Sequence, residues 1–369
     1  MRMCVNFSNK RQLQQYIKHK RKLLLNSRFN RGFKITPEPM PEETDAEEIN
    51  AEETNAEETD VSNSLSENKI ILYKQNTPDD ISWISIVSNY TCEYMYALSN
   101  QGVYKSTDYT TNWTITLFNQ NKDIQWISIC ADTHGQNIIA VAILTMTLER
   151  QNILYYSNDY GNTWDMSTHT IYTNDYLTSI TYNDKPCFIA VSFNGRIYES
   201  MNGGKSWELI SVLHTLCSSI VTSFSNQTMF VSSCYGNRGI YVSNDYGKNW
   251  IKRCNLICNL LAGSFSCQYL AATCNTRNME GIHVSTDYGK TWNRTLAIKG
   301  EWCCLVSNYT GKYLGAICKS PAFEDIYISF NYGESWIKVD TEITGWNSLI
   351  LNDTGLFASN LNDIYLCKW

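Results

Sequence analysis

The sequence has no run of about 18 apolar residues, so nothing in it reads as a membrane-spanning helix. The N-terminus has no apolar core of the secretory type, and its longest apolar run is the three leucines at 23–25. Charge is scarce. Asp, Glu, Lys and Arg make up 18% of the 369 residues and aromatics 13%, which suits a strand-rich body because aromatic side chains fit half-buried pleated surfaces. The five histidines (19, 134, 169, 214 and 283) show no ligand spacing, and no Ser/His/Asp arrangement or phosphate-cradling glycine loop stands out. Among the 14 cysteines there is no CxxC…CxxC pairing; Cys254 with Cys258, and Cys303 with Cys304, are spaced wrongly for one. Most cysteines sit in apolar strand-like segments, such as the one ending at Cys130 or the one beginning at Cys187. They read as buried free thiols, which points to a reducing intracellular compartment, the cytoplasm first. No metal and no cofactor is expected.

The charge that is present is segregated. Residues 1–35 hold ten Lys or Arg and no acid, whereas 36–67 hold twelve Asp or Glu and no base, with a short tandem AEEIN-AEETN-AEETD at 46–60. Like-charge blocks poor in apolar residues bury too little surface to offset chain entropy. The reading is a basic N-terminal segment (1–35), an acidic disordered linker (36–68) and a folded body (69–369). A basic, acid-free start is also a property of organellar transit peptides, but its Ser and Arg enrichment is modest. Contact with nucleic acid or an anionic membrane is expected only through 1–35, where KHKRK at 18–22 lies beside Tyr16 and Phe29. A solvated tail explains the same residues.

The body is dominated by one returning phrase, Ser-x-Asp-x-Gly-x-x-Trp. It reads SNDYGNTW at 157–164, SNDYGKNW at 243–250 and STDYGKTW at 285–292, with looser copies at 106–113, 200–207 and 329–336. From Trp113 through Trp164, Trp207, Trp250 and Trp292 to Trp336 the steps are 51, 43, 43, 42 and 44 residues. Around each copy stand four short strand-like runs separated by turn residues, the pattern of a four-stranded antiparallel meander. About 43 residues per four strands is a propeller-blade period. Residues 70–369 hold about seven such periods, although only six carry the phrase. A seventh unit begins at 345 and stops at Trp369, short of its fourth strand. The run at 69–74 is free to supply that strand by pairing with 364–368, closing the ring. The expected fold is therefore an all-β, seven-bladed propeller, with six blades plus an extra strand as the alternative.

The phrase has a physical account as the turn between third and fourth strands. Gly161, Gly247, Gly289 and Gly333 supply positive φ. Ser106, Ser157, Ser243, Ser285 and Ser329, with Asp108, Asp159, Asp245 and Asp287, cap turn amides. The six tryptophans fill space between neighbouring sheets. Thr110 in a Gly position, and Asn202 and Asn331 in Asp positions, predict less regular turns. These copies resemble Asp-box, or BNR, repeats of β-propellers, found in sialidases, xyloglucan-type glycosidases, sortilin and photosystem II assembly factors. The resemblance covers roughly 70–369 and implies boxes on the blade periphery, away from any catalytic site. The Asn-, Ile-, Tyr- and Lys-rich composition also resembles Asp-box proteins of mimivirus-like giant DNA viruses, which would make a virion a second location.

The sialidases of this family carry an Arg-Ile-Pro motif before the first box, and none occurs here; the nearest string is Arg196-Ile197-Tyr198. Four arginines, Arg150, Arg196, Arg238 and Arg277, precede the third strand in successive units. Their loops are expected on the face opposite the boxes, where guanidiniums suit carboxylate, phosphate or an acidic protein surface. Glu149, Glu280, Glu324 and Asp325 share that face, as partners of the arginines or as a glycosidase pair. The reading that results is a non-catalytic propeller that binds a protein partner or scaffolds an assembly, with glycan binding or hydrolysis as the alternative.

Overall fold

The computed structural model describes residues 70–369, except 119–120, 122, 145–151, 170–174, 176, 183–186, 275–279, 297, 299 and 321–323. The basic segment and the acidic linker therefore lie outside the described residues.

Within each sequence period the apolar content drops at the last strand, and the burial follows it. In blade 1, Trp83–Ser88 and Met95–Ser99 are almost wholly buried, Gly102–Ser106 is buried except at Lys105, and Thr114–Phe118 is half exposed. Strands buried on both faces must lie inside, and a strand polar on one face closes the edge. The four pair in chain order, antiparallel throughout. The same order repeats in blades 2 to 6, at 124–166, 177–212, 216–254, 260–296 and 301–338. Innermost strands of successive blades pack side by side around an axis, blade 7 beside blade 1 included.

Blade 7 settles the count at seven. Ser348–Leu351, Gly355–Ser359 and Ile364–Lys368 form its three inner strands, and its outer strand is Tyr73–Lys74. Tyr73 lies opposite Leu366 and Lys74 opposite Tyr365, in the antiparallel register expected of the ring closure. Lys74 Nζ also sits 2.8 Å from Asp363. Closure in this way leaves no inner edge of the blade unpaired.

One blade departs from four strands. Blade 2 ends in a two-residue outer strand, Asp165–Met166, and the chain then crosses to the next blade. Ser167 Oγ donates to the Gly204 carbonyl at 2.6 Å, and Thr168–His169 pairs in parallel with Ser206 and Trp207. Blade 3 thereby gains a short fifth strand. The apolar clusters lie between blades rather than within one. The cluster around Trp83 joins blades 7 and 1 through Ile350, Phe357 and Ile364, and that around Trp302 joins blades 6 and 5 through Leu260, Ala271 and Ile282.

Candidate functional site

Because strand direction alternates, the hairpins after the first and third strands share one face, and the hairpin after the second strand lies on the other. The boxes occupy the first of these faces. In the box of blade 4, Ser243 Oγ donates to Asp245 Oδ1 at 2.7 Å and accepts from Gly247 N at 2.9 Å. Asp245 Oδ1 also accepts from Asn249 N at 2.9 Å, and these bonds, the Asn249 backbone N–H first, hold its carboxyl down at about 2. Trp250 Nε1 donates to Gly247 O at 2.9 Å and to Ser211 Oγ, on the preceding blade's outer strand, at 3.0 Å. Trp164 and Trp336 reach back to Thr116 and Thr295 in the same way.

The degenerate boxes keep the capped turn, contrary to the sequence expectation, although in blade 1 the buried Trp113 Nε1 has no hydrogen-bond partner where Trp164, Trp250, Trp292 and Trp336 each donate to the box glycine carbonyl. Thr110 takes a φ of 77°, beside 75° at Gly161, and its amide still donates to Ser106 Oγ at 3.0 Å. Asn202 and Asn331 each keep the turn by accepting at Oδ1 the amide four residues on, at 3.0 Å in both. The turn needs an acceptor oxygen, and an amide supplies one. Backbone strain falls on the residue before the glycine as well: Tyr160, Tyr246, Tyr288 and Tyr332 have φ of 62°, 64°, 62° and 59°.

Those tyrosines carry the box's influence inward. The amide of Tyr160 donates to Gln136 O, that of Tyr246 to Gln227 O, that of Tyr288 to Gln268 O and that of Tyr332 to Lys312 O, at 3.0, 3.2, 3.1 and 2.8 Å. Each acceptor lies in the hairpin between first and second strands of the same blade. The tips of these hairpins surround the mouth of the axial channel, which is lined from all seven blades by residues including Tyr90, Thr133, Tyr182, Thr222, Phe265, Tyr309 and Asp353.

Aromatic rings occupy much of this rim. Phe224 and Phe265 lie 4.1 Å apart by ring centroid, Phe265 and Tyr309 4.4 Å, and Tyr90 meets Tyr309 edge-on at 5.6 Å. Backbone bonds hold the row: Phe224 N donates to Phe265 O and Phe265 N to Tyr309 O, both at 2.9 Å. Asp353, on the tip of blade 7, accepts from Asn308 Nδ2 at 2.5 Å and from the Tyr90 hydroxyl at 3.4 Å. Burial, and then the Asp353 charge, raise the Tyr90 phenol above its ordinary value, so it stays a donor. Tyr90, Phe224 and Tyr309 are nevertheless 50%, 40% and 47% exposed. Large exposed aromatics gathered in one place mark a recognition surface more often than scattered ones do.

The arginines singled out by sequence do not gather into a comparable site among the described residues. Arg150 and Arg277 lie outside them, as does Glu149. Arg196 turns into its own blade, where Nη1 sits 3.0 Å from the buried carboxylate of Asp175. Arg238 is exposed on its loop and Glu280 is half-buried. Glu324 pairs with Lys319 at 2.7 Å and accepts from Gly345 N at 2.9 Å, while Asp325 pairs with Lys338 at 3.0 Å. These acids are tied within or beside blade 6 rather than facing each other across a cleft.

The comparisons with known proteins agree with the fold. The model of the BNR-Asp box repeat matches residues 240–253, the box of blade 4. The fold is a β-propeller carrying Asp-box repeats. Among solved structures, YCF48 bound to D1 peptide superposes with a TM-score of 0.61 at 12% identity, covering 83% of this chain and 98% of that one. YCF48 from Cyanidioschyzon merolae gives 0.58 at 12% identity, covering 80% and 98%. The GH74 enzyme of Niastella koreensis gives 0.60 at 16% identity, covering 80% of this chain and 53% of the enzyme. No significant sequence match was found among curated proteins. At these identities the likeness concerns the fold. The rim was missed in the sequence because each aromatic looks like an ordinary strand end. Aligning units on the Asn or Ser that closes the first strand (Asn89, Ser223, Ser264, Asn308) shows an aromatic next in all four.

Proposed function

We propose that this protein is a non-catalytic propeller that binds a protein partner through the rim of its axial channel on the Asp-box face. The observation that carries the reading is the row of Phe224, Phe265, Tyr309 and Tyr90, held by backbone bonds yet left open to solvent. Ordering costs for such a surface are already met in the free protein, which favours affinity on docking. Aromatic anchors at the centre of a patch are where binding energy concentrates. The structural likeness to YCF48 bound to D1 peptide supports the same reading, since it sets a peptide on a propeller of this shape. Glycan binding is the second reading, favoured by one observation: the Asp353 carboxylate at the end of an aromatic row.

A photo-crosslinking amino acid placed at Phe224 or Tyr309, and for comparison at Arg238 on the opposite face, tests the reading in native extract. Adducts with one discrete protein from the rim positions, absent at Arg238, are expected. Adducts from Arg238 alone, or none from the rim, would overturn it.

A further inference from the structure

We infer that the rim takes an arginine side chain of its partner, seated between the Asp353 carboxylate and the faces of Tyr90 and Tyr309. The inference rests on the docking reading above and adds the chemistry of the occupant.

Asp353 is exposed at the tip of its hairpin, and its position is fixed from two sides. Asn308 Nδ2 holds Oδ1 at 2.5 Å and the Tyr90 hydroxyl reaches Oδ2 at 3.4 Å. A carboxylate offers about four lone-pair directions, so these two donors leave acceptor capacity on the solvent side. Thr133, Phe224, Phe265 and Tyr309, which hold the equivalent tip positions in blades 2, 4, 5 and 6, are uncharged, as is Tyr90 in blade 1. Among the described residues that line the channel mouth, then, Asp353 carries the one formal charge, set against π faces, while Glu93 and Lys312 lie further along their own hairpins. A cation is the complement of both the carboxylate and the π faces.

The geometry selects arginine over lysine. Tyr90 and Tyr309 stand edge to face, at 73°, with the carboxylate beside them. A planar guanidinium stacks on one ring while two of its N–H groups address the carboxylate; an ammonium is a point charge and does only one of these well. Beyond Tyr309 the row continues through Phe265 to Phe224, apolar and without charge, so a neighbouring apolar side chain of the partner has a place to lie. The ligand class is a loop or chain end carrying arginine next to an apolar residue.

The probe is a displayed library of random dodecapeptides selected on the full chain, with Kd of the selected peptides then measured on wild type, Asp353→Asn, Tyr309→Ala and Arg238→Ala. Peptides enriched in arginine are expected, binding about tenfold more weakly to Asp353→Asn, as for loss of a charge-assisted hydrogen bond. Arg238→Ala should leave them unchanged. Asp353→Asn preserves shape at an exposed tip, so unfolding does not confound the comparison. Peptides selected without arginine, but lost on Tyr309→Ala, would sink this inference and leave the docking reading standing. Peptides indifferent to both substitutions, an empty selection, or binding of oligosaccharides that Tyr309→Ala abolishes would overturn both.

Discussion

The amide of Tyr288 donates to the carbonyl of Gln268 at 3.1 Å, tying the blade 5 box to the hairpin whose tip carries Phe265. Tyr288 can hold this place only with φ at 62°, a left-handed conformation that the capping bonds of Ser285 and Asp287 maintain. Asp287→Ala removes the acceptor for Thr291 N and its hydroxyl, at 2.9 and 2.7 Å. The expected result is a loss of about 1 kcal/mol and faster amide exchange at Tyr288 and Phe265, with blade 2 amides unchanged. Unaltered exchange at Phe265 would mean that the rim does not depend on the box.

Acid should loosen the boxes in a defined window. Hydrogen bonds from Asn249, backbone first, hold Asp245 at about 2. At Asp287 burial works against ionisation, but the Thr291 backbone and hydroxyl donors overcome it and leave that carboxyl at about 2 as well. Both lie below their ordinary value of 3.8, so each contributes stability that is fully present above pH 4 and is lost as pH falls through about 2. Asp245→Asn and Asp287→Asn together should flatten the urea midpoint between pH 4 and 2, since Asn202 and Asn331 already serve as acceptors without titrating. An unchanged slope in the double variant would contradict this assignment.

Arg196 is predicted to matter for folding rather than for binding. Asp175 has a fully buried side chain and accepts from Arg196 Nη1 at 3.0 Å, Asn194 Nδ2 at 2.9 Å and the Tyr198 hydroxyl at 3.3 Å. Removing the cation leaves a buried carboxylate without its counter-charge, which costs about 3 kcal/mol. Arg196→Ala should therefore lower the thermal midpoint, whereas Arg238→Ala, at an exposed loop, should not. Thermal melts of the two side by side decide the matter.

How the fold could be read from sequence, and the site could not, follows from what each depends on. The blade repeats every 43 residues or so because four strands and their turns take that length, and period and turn residues are local properties. The ring closure was legible too, since the unit ending at Trp369 lacks a strand that Tyr73–Lys74 provides. The rim is not local. Tyr90 and Tyr309 are 219 positions apart in the chain and meet only because seven blades bring their tips to one axis. The environment of Arg196 is equally non-local: its partner Asp175 stands 21 residues before it, at the start of the blade, and no spacing rule links them.

Removing the closing strand should be costly. A chain beginning at Asn76 lacks Tyr73 and Lys74, the Lys74–Asp363 pair and the Gln75 side chain, which accepts the Thr110 hydroxyl at 2.7 Å. The 364–368 strand then becomes an exposed edge with Tyr365 and Leu366 beside it, a template for pairing with a second chain. A lower melting temperature and concentration-dependent association by light scattering are expected. A monomer of unchanged stability would show that the outer strand of blade 7 is dispensable.

The box glycines should differ in their tolerance of alanine, and the neighbours decide the order. Thr110 demonstrates that a side chain can occupy this φ where there is room. A Cβ at Gly333 would lie 2.5 Å from Val284 Cγ1 and 2.9 Å from Leu314 Cδ1, both in the packed wall between blades 5 and 6. At Gly247 the nearest atom is Met229 Sδ at 3.1 Å, on a flexible side chain that can move aside. Gly247→Ala should thus cost about 1 kcal/mol, mainly backbone strain, and Gly333→Ala about 3 kcal/mol because overpacking adds to it. Chemical denaturation of the two variants measures the difference directly. Equal losses would mean that the wall at Gly333 relaxes as readily as a methionine does, and that φ alone selects glycine in the box.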